Sequence, residues 1–279
     1  MPRPHLEFVQ SQMLAWRPLE PQAGRAGVER KLLSADPDSG ASSSIFRYPA
    51  GWQIAAPQRL GCAEELYVLE GGLRINATDY GPGDYAYLPA GYSRDAMMGS
   101  VNGAVVVTFL EARLTPSTAD APVAAGLIEC VRSNELPWGK AVGSELDTAA
   151  VGFKLLRLDP DNGDRTWLLN IDVTAGEAFE INGVERHPCV EETFLLQGDM
   201  AMPMGRMRTG AYFWRPPHIP HGPMGTQTGF LGLFRCKEGG PFATEWSEAP
   251  GPIDWQAPYA PILPAGMQVN HDYDRGQAY

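Results

Sequence analysis

The 279-residue sequence lacks a long apolar run, has only four cysteines, and contains fewer basic than acidic residues. Its 22 Lys and Arg against 33 Asp and Glu give a net charge of −11, which disfavours nucleic-acid binding, because phosphate recognition needs clustered cations. The most apolar stretch, residues 104–110, is strand-sized and shorter than the roughly 18 residues of a membrane helix. Cysteines without a CxxC pair, and an N-terminus without an apolar signal region, predict free thiols in a cytoplasmic protein that binds neither nucleic acid nor membranes.

Glycine and proline, by contrast, are abundant, with 31 Gly and 25 Pro. They divide the apolar material into short segments, a pattern typical of many short strands joined by turns. Hydrophobic residues make up 44% of the chain, which is enough for a packed core. The composition therefore predicts an all-β protein.

An internal repeat decides the domain organisation. Residues 31–40, KLLSADPDSG, recur as residues 154–163, KLLRLDPDNG, at an offset of 123. Residues 62–94 then align without a gap with residues 189–221, at an offset of 127. Small loop insertions produce such stepwise offsets, so the chain contains two copies of one unit.

Each copy is predicted to form a β-sandwich or barrel, because short apolar runs alternate with Gly- and Pro-containing turns. We place an N-terminal barrel in residues 1–125 and a C-terminal barrel in residues 126–279. The second includes an extended Pro-rich tail after Glu238. We expect Trp246 and Trp255 to be buried there, together with Tyr259, because exposed aromatic residues favour aggregation.

Both copies resemble cupins, which are recognised by the motifs G-x5-H-x-H-x3-4-E-x6-G and G-x5-P-x-G-x2-H. In the second copy, His187 and Glu191 match H-x3-E, and Glu191 and Gly198 match E-x6-G. Residues 210–216 match G-x5-P, and His221 stands at the position of the last histidine. The resemblance implies two tandem jelly-roll barrels of RmlC-like type, a bicupin.

One branch of this superfamily is the most similar. The KLL…DPD…G segment, followed by Arg186-His187-Pro188 and Glu191-Glu192, resembles the ChrR-like cupins. This branch contains dioxygenase-like enzymes and a zinc-bearing anti-sigma factor. The resemblance therefore implies metal binding, and either oxygen chemistry or sensing.

The second copy departs from the family motif at its first histidine, where this chain has Glu185. Glu185, His187, Glu191 and His221 together offer two imidazoles and two carboxylates, and strand alternation sends Glu185 and His187 to one face. Such a set suits Fe(II), Zn(II), Mn(II) or Ni(II), and leaves coordination positions open for substrate. We predict one divalent ion per chain, with Fe(II) favoured by the resemblance. Solvent-facing carboxylates and hydrogen-bonded barrel histidines are the alternatives.

Three further residues of the second copy are candidates for the site. His218 stands where the family has glycine in P-x-G, so it is either a turn residue at the barrel mouth or a catalytic acid-base. Phe213 and Trp214 precede Pro216, and alternation along the strand sends one of them towards a substrate pocket.

The first copy is predicted to bind no metal. The positions of the four candidate ligands hold Gln58, Leu60, Glu64 and Arg94, and neither leucine nor a protonated guanidinium can ligate an ion. We expect an Arg94–Glu64 ion pair to take the place of the metal, with Leu60 filling the remaining space. The alternative is that Arg94 extends into solvent.

Three functions are consistent with these residues. The first is an Fe(II) dioxygenase that cleaves a C–C bond in a small keto or enol substrate, a dicarbonyl or a hydroxyketone. The second is a non-redox Zn or Mn isomerase, lyase or hydrolase, with His218 as the base. The third is a metal-binding sensor or binding module without catalysis. A homodimer is possible in each case.

Overall fold

The computed structural model describes residues 3–20, 24–95, 98–118, 123–140, 150–174, 176–240, 242–248 and 251–279. The regular structure in these ranges consists of strands and two single 3-10 turns, Ser11–Met13 and Ser133–Glu135. The prediction of an all-β chain is therefore confirmed. No helix in this part of the chain is long and apolar enough to cross a membrane.

The strands of the described residues are numbered in chain order. They are β1 (Leu6–Gln10), β2 (Arg17–Pro18), β3 (Glu29–Ala35), β4 (Ser42–Tyr48), β5 (Trp52–Gln53), β6 (Gln58–Arg59), β7 (Glu64–Gly71), β8 (Leu73–Ile75), β9 (Thr78–Tyr80), β10 (Asp84–Leu88), β11 (Ser93–Arg94), β12 (Gly99–Ser100), β13 (Ala104–Leu110), β14 (Ile128–Arg132), β15 (Val151–Leu158), β16 (Arg165–Ile171), β17 (Phe179–Ile181), β18 (Gly183–Arg186), β19 (Val190–Met202), β20 (Gly205–Arg208), β21 (Ala211–Arg215), β22 (Met224–Thr226), β23 (Phe230–Lys237) and β24 (Glu245–Glu248).

The chain forms two compact units whose boundaries differ from the sequence division at residue 125. The first unit consists mainly of residues 15–136, and the second of residues 4–14 and 137–279. The reason is strand pairing: β1 pairs with β21 of the second unit, and β14 pairs with β10 of the first. Each unit thus contains the first strand of the other repeat. β1, from the first repeat, belongs to the second unit, and β14, from the second repeat, belongs to the first unit.

The first unit contains a seven-stranded sheet in the order β14-β10-β7-β13-β4-β3-β2 and a four-stranded sheet in the order β5-β12-β8-β9. Buried side chains of both sheets form one apolar cluster, which includes Phe46, Val68, Leu73 and Val106. Leu60 is fully buried in the same cluster, as predicted.

The second unit contains a nine-stranded sheet whose main path is β1-β21-β19-β23-β16-β15. The glycine of the E-x6-G motif, Gly198, has a φ of 77° and lies where β19 and β23 approach closely. A Cβ atom there would lie 2.0 Å from the carbonyl oxygen of Gly229, and one on Gly71 in the first unit 2.0 Å from that of Gly103. The motif glycine is therefore required by backbone packing in both copies.

The tail after Glu238 is only partly as expected. Residues 245–248 form β24, which pairs with β18. Trp246 is 36% exposed, so the prediction of its burial is wrong. Trp255 and Tyr259 are half-buried, and the Tyr259 hydroxyl donates a hydrogen bond to the carbonyl of Phe8 at 2.9 Å.

Candidate metal centre

Three of the predicted ligands lie together in the second unit. The carboxylate of Glu185 and the imidazoles of His187 and His221 offer ligand atoms that all lie within 4.8 Å of one another. Glu185 Oε1 is 3.3 Å from His221 Nε2, and Glu185 Oε2 is 3.9 Å from His187 Nε2. A single ion can be held between groups at such distances.

The backbone explains why these side chains meet. Glu185 and His221 form an antiparallel bridge in which each N–H donates to the other's carbonyl at 2.9 Å. Residues that face each other across such a bridge point to the same side, and His187 follows Glu185 by two residues. The alternation argument for Glu185 and His187 therefore holds, and the bridge adds His221.

Both imidazoles are oriented for metal binding. Nδ1 of His187 lies 3.0 Å from the carbonyl of Ala243, and Nδ1 of His221 lies 3.0 Å from the carbonyl of Ile219. A carbonyl oxygen only accepts, so each Nδ1 carries the proton and each Nε2 presents a lone pair to the centre of the cluster. Nε2 of His221 is buried and has no hydrogen-bond partner among the described residues. An uncompensated buried acceptor is costly, and a divalent ion is a fitting partner for it.

Glu191 contacts both the cluster and a buried arginine, Arg215. Its Oε2 lies 3.5 Å from Nε2 of His221 and 4.0 Å from that of His187, and it accepts a hydrogen bond from Arg215 at 2.8 Å. Arg215 also donates through Nε to Glu7 at 2.7 Å, and its Nη2 pairs with the second oxygen of Glu7. Arg215 therefore holds two carboxylates in fixed positions.

The ionisation of these carboxylates follows from the same contacts. Burial alone would raise the pKa of Glu7, but the charge and hydrogen bonds of Arg215 lower it to about 2. Burial likewise opposes ionisation of Glu191, yet Arg215 and then the two imidazoles hold its pKa below the usual value. The carboxylates of Glu7, Glu185 and Glu191 thus lie around a single guanidinium and two imidazoles. A divalent cation held by the imidazoles and the nearer carboxylates would add positive charge where these groups converge.

An apolar cavity of about 230 Å³ opens beside the cluster, with Glu185, His187 and Glu191 in its lining. Most of the wall is aromatic or aliphatic, and its aromatic residues include Phe153, Trp167, Phe213, Phe230, Phe234 and Phe242. Phe213 thus lines the cavity as one of the two alternatives predicted, whereas Trp214 is not in the lining. The volume suits a small organic molecule.

His218 does not join the cluster. Its side chain is exposed and absent from the cavity lining, and its backbone N–H donates to the carbonyl of His187 at 2.7 Å. Its φ is 64°, and the equivalent residue of the first copy, Gly91, has a φ of 80°. The position is thus fixed by a left-handed backbone that suits glycine, and the structure does not support the predicted acid-base role.

Sequence reasoning missed three polar residues of this region. Arg215 could have been found, because it follows Phe213 by two residues and so faces the same side. Arg165 had no signal beyond its place in an apolar segment. Glu7 could not have been found, because it reaches Arg215 from a strand 208 residues away in the sequence.

The equivalent positions of the first unit are filled by an ion-pair network, and the predicted Arg94–Glu64 pair is confirmed. Arg94 donates to Oε2 of Glu64 through Nη2 at 2.7 Å and through Nε at 3.1 Å, and both side chains are buried. Arg25 adds an unexpected second guanidinium, with Nη1 2.5 Å from Oε1 and Nη2 2.8 Å from Oε2, and also donates to the hydroxyl of Tyr48 at 3.0 Å. Burial raises the pKa of Glu64, but the two arginines lower it to about 2.

Comparison with known proteins agrees with this fold. Residues 5–113 and 129–238 each match the ChrR cupin-like domain, and the chain therefore belongs to that family of cupins. No curated protein sequence gives a significant match.

Solved structures of cupins share the architecture over most of the chain. A candidate dioxygenase from Nostoc punctiforme is 23% identical, with 90% of this chain and 89% of that one covered and a TM-score of 0.70. Oxalate decarboxylase from Bacillus subtilis is 12% identical over 86% and 78% of the two chains, with a TM-score of 0.55. The Escherichia coli protein Ylba is 13% identical over 84% and 91%, with a TM-score of 0.57. At these identities the likeness shows the cupin fold, and the chemistry must be argued from the site.

Proposed function

We propose that the second unit is an Fe(II)-dependent dioxygenase that cleaves a C–C bond in a small dicarbonyl or hydroxyketone substrate. The observation that carries the proposal is the set of two buried imidazoles and one carboxylate beside an apolar cavity. Two histidines and one carboxylate with open positions are typical of non-haem Fe(II) oxygenases. A bound Fe(II) would supply Lewis acidity towards the enolate oxygens and the redox chemistry of O2.

The protein residues have separate parts in this proposal. His187, His221 and Glu185 would hold the ion, and Glu191 would complete the set through Oε2, the oxygen nearest both imidazoles. The carbonyls of Ala243 and Ile219 fix the two ring orientations, as hydrogen-bond partners of metal ligands do.

The cavity would receive the substrate and exclude water. Its aromatic wall matches the apolar body of a diketone or aryl ketone. The carboxylates at the cluster can approach the oxygen atoms of such a substrate only when a cation lies between them. Overall, one 1,3-diketone and one O2 would give one carboxylic acid and one 2-oxoaldehyde. Both oxygen atoms enter the products, and no further reductant is required.

The test is oxygen uptake by Fe(II)-loaded protein with a panel of 1,3-diketones and 2-hydroxyketones. We expect O2 consumption in equal amount to C–C bonds cleaved, and labelled dioxygen should place one label in each product. His187→Ala should abolish uptake, and His271→Ala, which removes an exposed histidine of the tail, should leave it unchanged.

Two outcomes would overturn the dioxygenase. Turnover that persists without oxygen, with Zn or Mn bound, would favour the non-redox isomerase, lyase or hydrolase. Tight metal binding with no turnover of any member of the panel would favour the sensor. The small-molecule substrate, the cytoplasmic location and a homodimer remain predictions.

A further inference from the structure

We propose that the cavity recognises an organic carboxylate, whose apolar body packs among the aromatic side chains and whose carboxylate pairs with Arg165. This inference rests on the proposed function for the metal-binding end of the substrate. The inference of an anion-binding end is supported by Arg165 and its surroundings alone.

Strand register places Arg165 at the depth of the metal cluster. Arg165 on β16 is paired with Cys236 on β23, Cys236 is paired with Glu191 on β19, and Glu191 is paired with Arg215 on β21. Paired residues of neighbouring strands point to the same face, and Arg165 and Glu191 are two strand spacings apart, about 10 Å between backbones. Both residues line the cavity.

Arg165 has no carboxylate partner among the described residues. Its guanidinium makes no hydrogen bond or ion pair with any residue that the structure describes, and its Nε is buried without a partner. Arg215, in the same row of the sheet, is by contrast paired with Glu7 and Glu191. Burial lowers the pKa of Arg165, but an arginine in a protein remains protonated. Arg165 is therefore a cation of the cavity wall that pairs with none of the described residues.

Aromatic rings hold this charge in place. The guanidinium carbon of Arg165 lies 4.4 Å from the ring centre of Phe242 and 5.4 Å from that of Trp167. Phe242 also stacks on the His187 ring, with ring centres 4.6 Å apart and planes at 28°. The ring of Phe242 thus contacts both an imidazole of the metal cluster and the guanidinium, which places Arg165 close to the metal-binding end of the cavity.

The chemistry of the guanidinium selects a carboxylate. Its planar arrangement of N–H groups matches the two oxygens of a carboxylate, and stacking on rings leaves the edge of the group available to donate. A neutral substrate would leave these donors unpaired in an apolar cavity, which weakens binding. We therefore expect discrimination between an aromatic carboxylate and its neutral isostere.

The experiment measures binding of benzoate and of benzamide to the full chain after removal of metal by a chelator. Without metal, no ion competes with Arg165 for the carboxylate, and the readout is calorimetric and independent of turnover. We expect benzoate to bind about 10- to 100-fold more tightly than benzamide, as a charge-assisted pair provides. Equal binding of the two compounds, or no binding of benzoate, would overturn the proposal.

Variants assign the preference to Arg165. Arg165→Gln should remove it, and Arg165→Lys should restore part of it because the charge returns. Arg208→Gln removes the same charge from an exposed residue outside the cavity lining and should retain the full preference. A benzoate preference that persists in a folded Arg165→Gln protein would contradict the assignment.

Two checks keep the result decisive. Thermal unfolding shows whether Arg165→Gln is folded, and if it is not, the comparison of benzoate with benzamide on the unaltered protein still decides. Failure of the dioxygenase would appear as absent oxygen uptake with benzoate preference intact. Failure of the carboxylate proposal would appear as uptake with neutral diketones and no benzoate preference.

Discussion

The two units place different chemistry at the same four positions of one repeat. The second has Glu185, His187, Glu191 and His221 there, with a single arginine contributed by β21. The first has one carboxylate, Glu64, between two guanidiniums. Both arrangements bury a carboxylate at the E-x6-G position, and the difference lies in what compensates it.

That difference teaches how a buried carboxylate is kept ionised in this fold. In the first unit, Arg25 and Arg94 donate hydrogen bonds to both oxygens of Glu64. In the second, the carboxylates outnumber the guanidinium and two imidazole lone pairs converge. The carboxylate of the first unit is neutralised by the two arginines without any ligand, whereas the converging ligand atoms of the second unit favour a bound cation.

The largest expected effect removes a ligand from the second unit. His221→Ala should reduce metal affinity by more than the roughly 10- to 100-fold that loss of an outer partner costs, because it deletes a direct donor. Metal analysis of the purified protein measures the effect, with His271→Ala as control. Full metal content in the variant would remove the distinction between the two units.

The next effect concerns the stability of the first unit. Glu64→Gln should lower the free energy of unfolding by about 3–5 kcal/mol, because it leaves Arg25 and Arg94 buried without a counter-charge. Urea denaturation measures the change, and Glu20→Gln, at an exposed position, is the matched control. A variant as stable as its parent would show that the network contributes nothing.

The pH dependence of the unfolding free energy tests the same ion-pair network. The pKa of Glu64 is lowered from 4.5 to about 2, so its contribution to stability is fully present above about pH 4.5 and is lost as the pH falls towards 2. The gap in unfolding free energy between parent and Glu64→Gln should therefore shrink by roughly 3 kcal/mol between pH 5 and pH 2. Denaturation at several pH values measures it. A gap that is constant with pH would exclude ionised Glu64 as its cause.

The smallest effect acts through an outer partner of the metal cluster. Arg215→Gln should weaken metal binding about 10- to 100-fold, because Glu191 loses the group that fixes it. Competition with a chromogenic chelator measures the affinity, and Arg208→Gln is the control. Unchanged affinity would mean that Arg215 acts only in packing.

The sequence was sufficient for features that depend on spacing. The repeat predicted the two barrels, and strand alternation with the motif positions predicted that Glu185, His187 and His221 meet. For His218, the left-handed backbone agrees with the turn alternative, and the motif position does not determine where the side chain points.

Residues that arrive from distant segments could not be predicted. Arg25 lies ahead of β3, outside the aligned parts of the repeat, and Glu7 reaches its site on a strand of the other repeat. Their positions depend on which strands pair across the whole chain. Local periodicity carries no information about that choice.

The exchange of first strands has a consequence for biosynthesis. β1, whose five residues are all buried, leaves the ribosome about 200 residues before its partner β21. At about 5–20 residues per second, it waits for roughly ten seconds or more with apolar residues and open hydrogen-bond donors exposed. The N-terminal strand therefore cannot form its native pairing until most of the second repeat has been synthesised. A cut of the chain anywhere between residues 15 and 136 would also separate Glu7 from the metal cluster. Arg215, which pairs with Glu191 of that cluster, would then lose its second carboxylate.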